Sequence, residues 1–497
     1  MAKKLISETN EWSIETIQAG WSAIEKICKE KYGLDYYKVR FEIITYEHML
    51  DIYSSYALPN LYNHWSFGRS FVKSYHNYKS RNGDLAYEVA INTDPCIVYL
   101  MANNSFTLQM LVMAHAGIGH NHFFKNNVMF KEHTAASKIL SLLAEGRKFI
   151  NQCEEKYGMD DVESLIDVCH ALFHYSIDRY RKPYKSRRDT VDKKKQRKKD
   201  SEDSYNPLLD VLPPPKKLER KDYIQEENIL WLLEKYSPSL KDWERRVMRI
   251  VRKVNQYLYP QMLTKVMNEG WASFWHWTLM HDLYETGQVS EASMIEFYAC
   301  HSSVLYQPDY SASMNPYKLG FSIWTDLRRI CESPNEEDLE LYPELCNTNW
   351  VGSLTGIMET YKDDSFLRQY LTPKVIRDLK LFSIEDVENK ANLVIRTIHD
   401  NDDHEIIRRI MSKQYEFMDG VPDIKVTDFS TGKRRRLELT HFEHNEQRID
   451  EKTAKEVLKY MKRLWPYEIN FIVKDSDGDI ETIVDENWNL VDYDPKV

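Results

Sequence analysis

Two short stretches of the sequence concentrate side chains that can bind a metal ion or transfer a proton. MAHAGIGHNHFF, at residues 113–124, contains three imidazoles. MNEGWASFWHWTLMH, at residues 267–281, places one carboxylate and two imidazoles among four large aromatic rings. Histidine nitrogens and carboxylate oxygens are common zinc ligands, and a buried ionisable group is costly unless it is paired or bound to a metal. The two stretches are therefore candidates for a joint site.

The spacing of the histidines in the first stretch permits a joint site without being diagnostic of one. In the zinc motif HExxH the two histidines are four residues apart, on one face of a helix. His115 and His120 are five residues apart, and on an ideal α-helix they would point about 140° apart. Gly117 and Gly119 would allow the backbone to end or unwind the helix between them.

In the second stretch, Glu269 and His276 lie on one face of a predicted helix, about 10 Å apart along its axis. Because that separation is too long for both to bind one ion easily, we assign Glu269 as a metal ligand and His276 as a neighbouring or catalytic group. His281 points in another direction and would serve a neighbouring contact. The alternative for each histidine is a hydrogen-bonded structural residue of the core.

The elements that would position these side chains are mainly helices. Apolar residues recur at helical spacing in residues 45–56, in 105–119 and through most of the chain up to residue 382. The aromatic stretch 61–75 resembles a loop, and 85–102 indicates one or two strands or an extended buried segment. We therefore predict one large, mainly α-helical domain over residues 1–382.

A small α+β domain is predicted for residues 383–497. The pattern of this region is β-α-β-β-α-β plus one strand, beginning with ANLVIRTIHD at 391–400. That order is typical of a ferredoxin-like domain, with two helices on an antiparallel sheet.

A strongly basic run at residues 179–200 cannot bury apolar surface. It predicts a mobile loop over about 183–215 inside the helical domain. Its alternative is a patch for an anionic partner, such as nucleic acid or membrane headgroups. The formal net charge of −10 makes nucleic-acid binding the weakest of the hypotheses.

Composition and motifs narrow the class of protein further. The N-terminus has no apolar segment of signal-peptide length, and no apolar run approaches about 20 residues, which predicts a cytoplasmic protein without a membrane span. The seven cysteines are scattered without a CxxC pair, which predicts reduced thiols. The sequence contains no G-x-S-x-G elbow, P-loop or strand-linked G-x-G-x-x-G.

Many stretches together resemble the stage V sporulation protein R (SpoVR-like) family of bacteria and some of their phages. The resemblance covers almost the whole chain. The matching stretches are HWSFGRSF (64–71), AYEVAINTDPCIVYLM (86–101), AHAGIGHNHFFKNN (114–127), CHALFHYSIDRYRKP (169–183), TKVMNEGWASFWH (264–276), VLYQP (304–308), NPYKLGF (315–321) and TPKVIRDLKLF (372–382).

The family resemblance implies a cytoplasmic protein of spore cortex formation in spore-formers, and of stress or starvation responses elsewhere, without a settled activity. It selects eight candidate site positions: His115, His120, His170, Asp178, Glu269, His276, His281 and His301. The positions His122, His133 and His174 do not match the family and are set aside.

A second resemblance is to gluzincin metallopeptidases, in which an EGWA-type motif on a later helix supplies a glutamate as the third ligand. By that resemblance His115, His120 and Glu269 would hold zinc or another divalent metal. The peptidase general base is a glutamate that follows the first histidine, and here that position is Ala116. Another group, such as His276, would have to replace it, or the site is not a peptidase.

Two functional hypotheses remain. The first is a metal-dependent hydrolase acting on a peptide or envelope-precursor substrate, with His276 and His281 as catalytic candidates and His170, Asp178 and His301 as further pocket residues. The second is a non-catalytic regulatory or scaffold protein that binds protein partners and whose His/Glu cluster is a structural polar network.

Overall fold

The structure is a computed structural model in which the chain divides into two compact units. The first unit combines Met1–Ile166 with Lys253–Val421, and the second combines Asp167–Arg252 with Pro422–Val497. The structure describes residues 5–80, 88–179, 226–308, 314–381, 383–385, 394–396, 403–417, 421–432, 435–442, 449–474, 480–485, 487, 489 and 490. The predicted mobile loop at 183–215 lies outside them.

Helices make up most of the first unit, as predicted. Up to residue 413 its α-helices are Ile14–Ile27, Tyr46–Ser54, Trp65–Ser80, Phe106–Val112, Asn121–Asn126, Val128–His133, Ile139–Tyr157, Lys265–Glu285, Glu291–Val304, Pro316–Glu332, Glu336–Leu341, Trp350–Thr360, Asp363–Tyr370, Pro373–Asp378 and Asp403–Lys413. The helices Met159–Ala171 and Asp242–Leu263 each belong partly to the first unit and partly to the second. Two further segments, Cys28–Tyr32 and Met113–His120, are π-helices. None of the helices in the described part of the chain is long and apolar enough to cross a membrane.

The first unit also contains a three-stranded sheet with the strand order β1-β3-β2. Its strands are β1 (Val39–Ile44), β2 (Glu88–Ile91) and β3 (Cys96–Met101). The strand β3 is buried along its whole length, pairs in parallel with β1 and pairs antiparallel with β2. The prediction of strands within residues 85–102 is confirmed, and β2 is left as an edge strand.

The prediction of an aromatic loop at 61–75 is wrong, because Trp65–Ser80 is a helix. Phe67, Phe71 and Tyr75 are four residues apart and lie on one helical face, and the rings of Phe71 and Tyr75 stack with their centroids 6.0 Å apart. The aromatic content concealed this helical period.

The second unit contains strands and helices, as predicted for a small α+β domain, but its sheet has a different topology from the one predicted. Its strands, in the order β6-β7-β8-β9, are β6 (Asp423–Ser430), β7 (Arg436–Phe442), β8 (Glu468–Lys474) and β9 (Ile480–Val484). The strands β7 and β8 are parallel and are joined across the helix Glu451–Leu464, whereas the other neighbours are antiparallel.

The ferredoxin-like prediction is therefore corrected. The strand predicted at 391–400 appears as β5 (Val394–Arg396), which pairs with β4 (Ser383–Glu385) in a separate two-stranded sheet. Without that strand, the described residues contain one helical crossover in the four-stranded sheet, and the neighbouring strands follow chain order.

The second unit also includes the earlier segment Asp167–Arg252. Glu226 exchanges two backbone hydrogen bonds with Val426 of β6, at 3.1 and 2.9 Å. The helix Ile229–Tyr236 follows, and its buried Glu234 carboxylate accepts a hydrogen bond from Arg249 at 2.7 Å. Sequence analysis placed a single boundary after residue 382 and did not anticipate a unit built from two distant segments.

The helix Lys265–Glu285, called the site helix below, lies at the centre of the first unit's core. Fifteen of its 21 residues are buried. Small residues permit very close approaches on two sides: a Cβ atom on Gly119 would lie 2.4 Å from the Cα of Ala272, and one on Gly270 would lie 2.3 Å from the carbonyl carbon of Gly320. These contacts fix the site helix between the π-helix Met113–His120 and the helix Pro316–Glu332.

The start of the site helix is capped by a distant carboxylate. Thr264 precedes the helix without a side-chain capping bond. The backbone N–H groups of Val266 and Met267 instead donate to Asp363, at 2.8 and 2.9 Å. Asp363 is completely buried.

Replacing Asp363 with alanine should therefore destabilise the first unit by about 1–3 kcal/mol, since two buried N–H donors lose their acceptor. The urea midpoint of unfolding, followed by tryptophan fluorescence, measures the loss. Asp363→Asn keeps one side-chain oxygen as an acceptor and should lose less. An unchanged midpoint for Asp363→Ala would contradict this account of the cap.

Candidate metal centre

A π-helix places the two histidines of HAGIGH on the same face. Met113–His120 forms eight residues of π-helix, all of them buried. A π-helix bonds residue i to residue i+5, and its wider turn brings side chains five apart onto one face, where an α-helix would separate them. The rings of His115 and His120 accordingly have their centroids 4.7 Å apart, at an interplanar angle of 84°. Gly117 and Gly119 had suggested that the helix ends or unwinds between the histidines. The helix instead continues there with the wider turn of a π-helix.

Glu269, on the site helix, reaches the same point as the two histidines. Its Oε2 atom lies 3.4 Å from His120 Nε2 and 3.8 Å from His115 Nε2. All three side chains are largely buried, with Glu269 the most exposed at 19%. The structure thus brings together the three residues that the sequence proposed as metal ligands.

A fourth ionisable group, Glu88, completes the cluster and was missed by sequence analysis. It stands at the start of the edge strand β2, and its Oε1 atom lies 2.8 Å from His115 Nε2 and 3.9 Å from His120 Nε2. One ligand atom from each of Glu88, His115 and His120 falls within 4.8 Å of the other two. The available signal was a carboxylate in the matching stretch 86–101.

Within the described part of the chain, several buried polar atoms of the cluster have no hydrogen-bond partner. These atoms are Glu88 Oε2, His115 Nε2 and Glu269 Oε2. His115 Nε2 nevertheless lies 2.8 Å from Glu88 Oε1, at the distance of an ion pair. Buried polar atoms are normally satisfied by a partner or an ion. The unsatisfied nitrogen and oxygens therefore fit a bound cation.

Hydrogen bonds behind the cluster orient both imidazoles. His120 Nδ1 lies 2.9 Å from Asn268 Oδ1, and because that oxygen can only accept, the nitrogen donates. A neutral His120 then presents the lone pair of Nε2 to the cluster. Such a bond on the far nitrogen is typical of histidines that bind metals.

His115 is held by a chain of two further histidines. Its Nδ1 lies 2.8 Å from His276 Nδ1, and His276 Nε2 lies 2.7 Å from His301 Nδ1. If His115 keeps Nε2 unprotonated for a metal, it must donate from Nδ1 to His276. His276 then donates from Nε2 to His301, so one tautomer is defined for each ring in turn.

The charges of the cluster favour a cation. Burial alone lowers the pKa of His115, but the carboxylates of Glu88 and Glu269 outweigh it and raise that pKa to about 9. Burial raises the pKa of Glu269, but His120 and His115 bring it well below its usual range. The carboxylates of Glu88 and Glu269 are thus neutralised in part by the protonated imidazole of His115. A bound metal ion could supply that positive charge in place of the proton.

The supporting histidines are held neutral. Burial, followed by the charge of His115, lowers the pKa of His276 well below its ordinary value. Burial and His115 likewise lower the pKa of His301 to about 4. Neutral rings can each donate one hydrogen bond and accept another, as the chain from His115 requires.

The cluster opens into a cavity of about 870 Å³, lined by residues that include Glu88, His115, His120, Glu269, His276 and Tyr317. The ring of Tyr317 stacks near that of His115, with centroids 6.4 Å apart and an interplanar angle of 21°. The negative charge of Glu269, followed by burial, raises the pKa of the Tyr317 hydroxyl well above its ordinary value. Tyr317 therefore remains a neutral phenol that can donate a hydrogen bond into the cavity.

The other predicted residues are placed elsewhere. His281 donates from Nδ1 to the carbonyl of Trp277 at 2.7 Å and accepts from the Tyr298 hydroxyl at 3.0 Å. It does not line the cavity, so the catalytic role proposed for it loses its basis. His170 and Asp178 belong to the second unit, whereas the whole cluster belongs to the first.

Asp178 has structural partners within its own unit. Its carboxylate accepts a hydrogen bond from Asn228 at 3.0 Å and forms an ion pair with Arg252 at 3.4 Å.

Among the histidines set aside, His122 is buried and accepts a hydrogen bond from the indole of Trp271 at 3.3 Å. All seven cysteines are free thiols, five of them buried.

Comparison with known proteins identifies the family. Residues 11–419 match the family model described as SpoVR like protein, and residues 422–476 match the SpoVR-like C-terminal domain. The chain belongs to the SpoVR-like family. The two models meet close to Val421, where the first compact unit ends.

A relative from Escherichia coli (strain K12), "Uncharacterized protein YcgB", is 41% identical over 492 residues, which is 96% of each chain. No solved structure matches the chain. Neither family model concerns a metallopeptidase, so the resemblance to gluzincins stays a prediction.

Proposed function

We propose that this protein binds one divalent metal ion through His115, His120 and Glu269, and that the ion serves a hydrolytic reaction in the adjoining cavity. The observation that carries the proposal is the convergence of two Nε2 atoms and Glu269 Oε2 at one buried point, from two separate helices. Two imidazoles and a carboxylate are a common zinc ligand set, and catalytic zinc sites keep a fourth position open for water or substrate.

A bound metal would supply an activated water and polarise a carbonyl group. The chain must supply a group that takes the proton of that water, and HAGIGH lacks the glutamate at Ala116 that peptidases use. Glu88 supplies a carboxylate beside both histidines, and its Oε2 atom has no hydrogen-bond partner among the described residues. We assign it as the base, and Tyr317 as a hydrogen-bond donor to the reacting carbonyl.

His276 was the earlier candidate for the base. Both of its ring nitrogens are engaged, one with His115 and one with His301. It therefore has no free nitrogen to receive a proton from water. We assign His276 the role of orienting His115.

The non-catalytic alternative has one observation in its favour. The histidines of the cluster already hydrogen-bond to one another and to Asn268, as the members of a structural polar network do. Under that alternative the cluster stabilises the fold, and the cavity binds without turnover.

Asn268 offers a test of how the ligands are oriented. Asn268→Ala removes the acceptor for His120 Nδ1, and the metal affinity should fall about 10–100-fold, as is typical for loss of such a partner. Competition with a chromophoric chelator measures the affinity. Asn268→Asp retains an acceptor and should stay close to the wild type. Equal affinities for Asn268→Ala and the wild type would exclude this orienting role.

Incorporation of ¹⁸O from labelled water tests the hydrolytic function. Tag-free, zinc-loaded protein is incubated with a mixture of peptides that have blocked or free C-termini, and the products are analysed by mass spectrometry. The proposal predicts label in new carboxyl groups, and its loss in Glu88→Gln, which should keep its metal. Metal-loaded wild type that releases no labelled product would support the non-catalytic alternative for these substrates. A cytoplasmic location, and a role in sporulation, stress or envelope physiology, remain predictions.

A further inference from the structure

Part of the cavity wall carries hydrogen-bond donors that no residue in the described part of the chain uses. Lys265 and Gln261 both line the cavity. Among the described residues, Lys265 has no ion pair and Gln261 has no side-chain hydrogen bond. Lys265 is also the only lysine or arginine among the described residues that line this cavity.

The position of Lys265 relates it directly to the proposed metal centre. Lys265 is the first residue of the site helix, and Glu269 follows four residues later. Residues four apart lie on the same side of a helix, about 6 Å apart along its axis. A ligand held at the metal centre by one end can thus present its other end to Lys265.

The backbone N–H groups that follow Lys265 are not available to bind an anionic ligand. The N–H groups of Val266 and Met267 are occupied by Asp363, so the helix terminus is already neutralised. The unused donors are the Lys265 ammonium and the Gln261 amide. Lys265 is exposed while it lines the cavity, so its ammonium is accessible to an anionic ligand that enters the cavity.

We propose that Lys265 and Gln261 form a subsite that binds a carboxylate. The substrate would then carry a free carboxylate about one helical turn away from the bond that is hydrolysed at the proposed metal centre of His115, His120 and Glu269. The inference rests on the proposed function and deepens it. An ammonium and an amide can donate to the two oxygens of one carboxylate without competing with each other.

Two hydroxamates of equal chain length test the subsite on zinc-loaded, full-length protein. Pentanohydroxamic acid binds through its hydroxamate alone, whereas the monohydroxamate of glutaric acid adds a terminal carboxylate. Isothermal titration calorimetry should show about two- to fivefold tighter binding of the glutaric probe, since an ion pair with an exposed lysine contributes up to about 1 kcal/mol. In Lys265→Met the ratio of the two affinities should fall to about one.

Lys148→Met is the matched control. Lys148 is exposed on the helix Ile139–Tyr157 and does not line the cavity, so this variant makes the same change in charge and should keep the wild-type ratio. A ratio of about one in the wild type, or an unchanged ratio in Lys265→Met, overturns the subsite while leaving the metal centre intact. If neither probe binds, the metal centre itself fails and the subsite fails with it.

Discussion

The Glu269→Ala protein is expected to lose its metal and remain folded. Glu269 provides the only carboxylate oxygen that the site helix brings to His115 and His120, at 3.8 and 3.4 Å. Loss of a partner behind a ligand already lowers metal affinity about 10–100-fold, so loss of the ligand itself should lower it by more than about 100-fold. Chelator competition measures the affinity, and circular dichroism checks the fold.

His281→Ala is the matched control for this experiment. His281 lies on the same helix, but its ring bonds to Trp277 and Tyr298 and stands outside the cavity. Its replacement should leave the metal affinity unchanged. If instead Glu269→Ala unfolds at clearly lower denaturant while wild-type protein binds no metal, the cluster is a structural network and the proposed centre is wrong.

Substitutions at the tight helix contacts should have the largest effects on stability. Gly119→Ala would place a methyl group 2.4 Å from the Cα of Ala272, and Gly270→Ala would place one 2.3 Å from the Gly320 carbonyl carbon. Backbone cannot retreat as a flexible side chain can, so each variant should lose at least about 1–3 kcal/mol of the free energy of unfolding. Because Gly119 adjoins His120, metal affinity should fall as well.

Gly352→Ala separates this packing effect from the general effect of replacing a helical glycine. Gly352 lies in the exposed part of the helix Trp350–Thr360, and a Cβ atom there would meet nothing within 4 Å. That variant should be stabilised by about 0.5–1 kcal/mol, since alanine loses less conformational freedom on folding. Midpoints of denaturant unfolding for the three variants decide the matter. Equal midpoints for Gly119→Ala and Gly352→Ala would disprove the close packing.

Much of the fold was predictable because its helices follow simple hydrophobic periods. The stretch 105–119 is strongly apolar and forms buried helix from Phe106 onward, and residues 85–102 contain two strands. The helix Trp65–Ser80 was missed because aromatic residues obscured its period. The β-sheet order of the second unit was missed because strand pairing depends on which strands share a sheet, a property that local pattern does not contain.

For the site, the sequence indicated which two stretches meet and did not indicate how. On an α-helix His115 and His120 diverge, and the π-helical hydrogen bonding that aligns them has no reliable local pattern. Glu88 was missed for a different reason. It lies on a strand, and only the packing of β2 against the π-helix brings its carboxylate to the histidines. Chemistry assembled from three elements is visible only in three dimensions.

The most direct test of the central claim is an anomalous-scattering experiment on crystals of the zinc-loaded protein, with data collected on both sides of the zinc absorption edge. We predict one anomalous peak bonded to the Nε2 atoms of His115 and His120 and to a carboxylate oxygen of Glu269, at about 2.0–2.2 Å from each. The claim would be contradicted by the absence of a peak among these three side chains in protein that has been supplied with zinc.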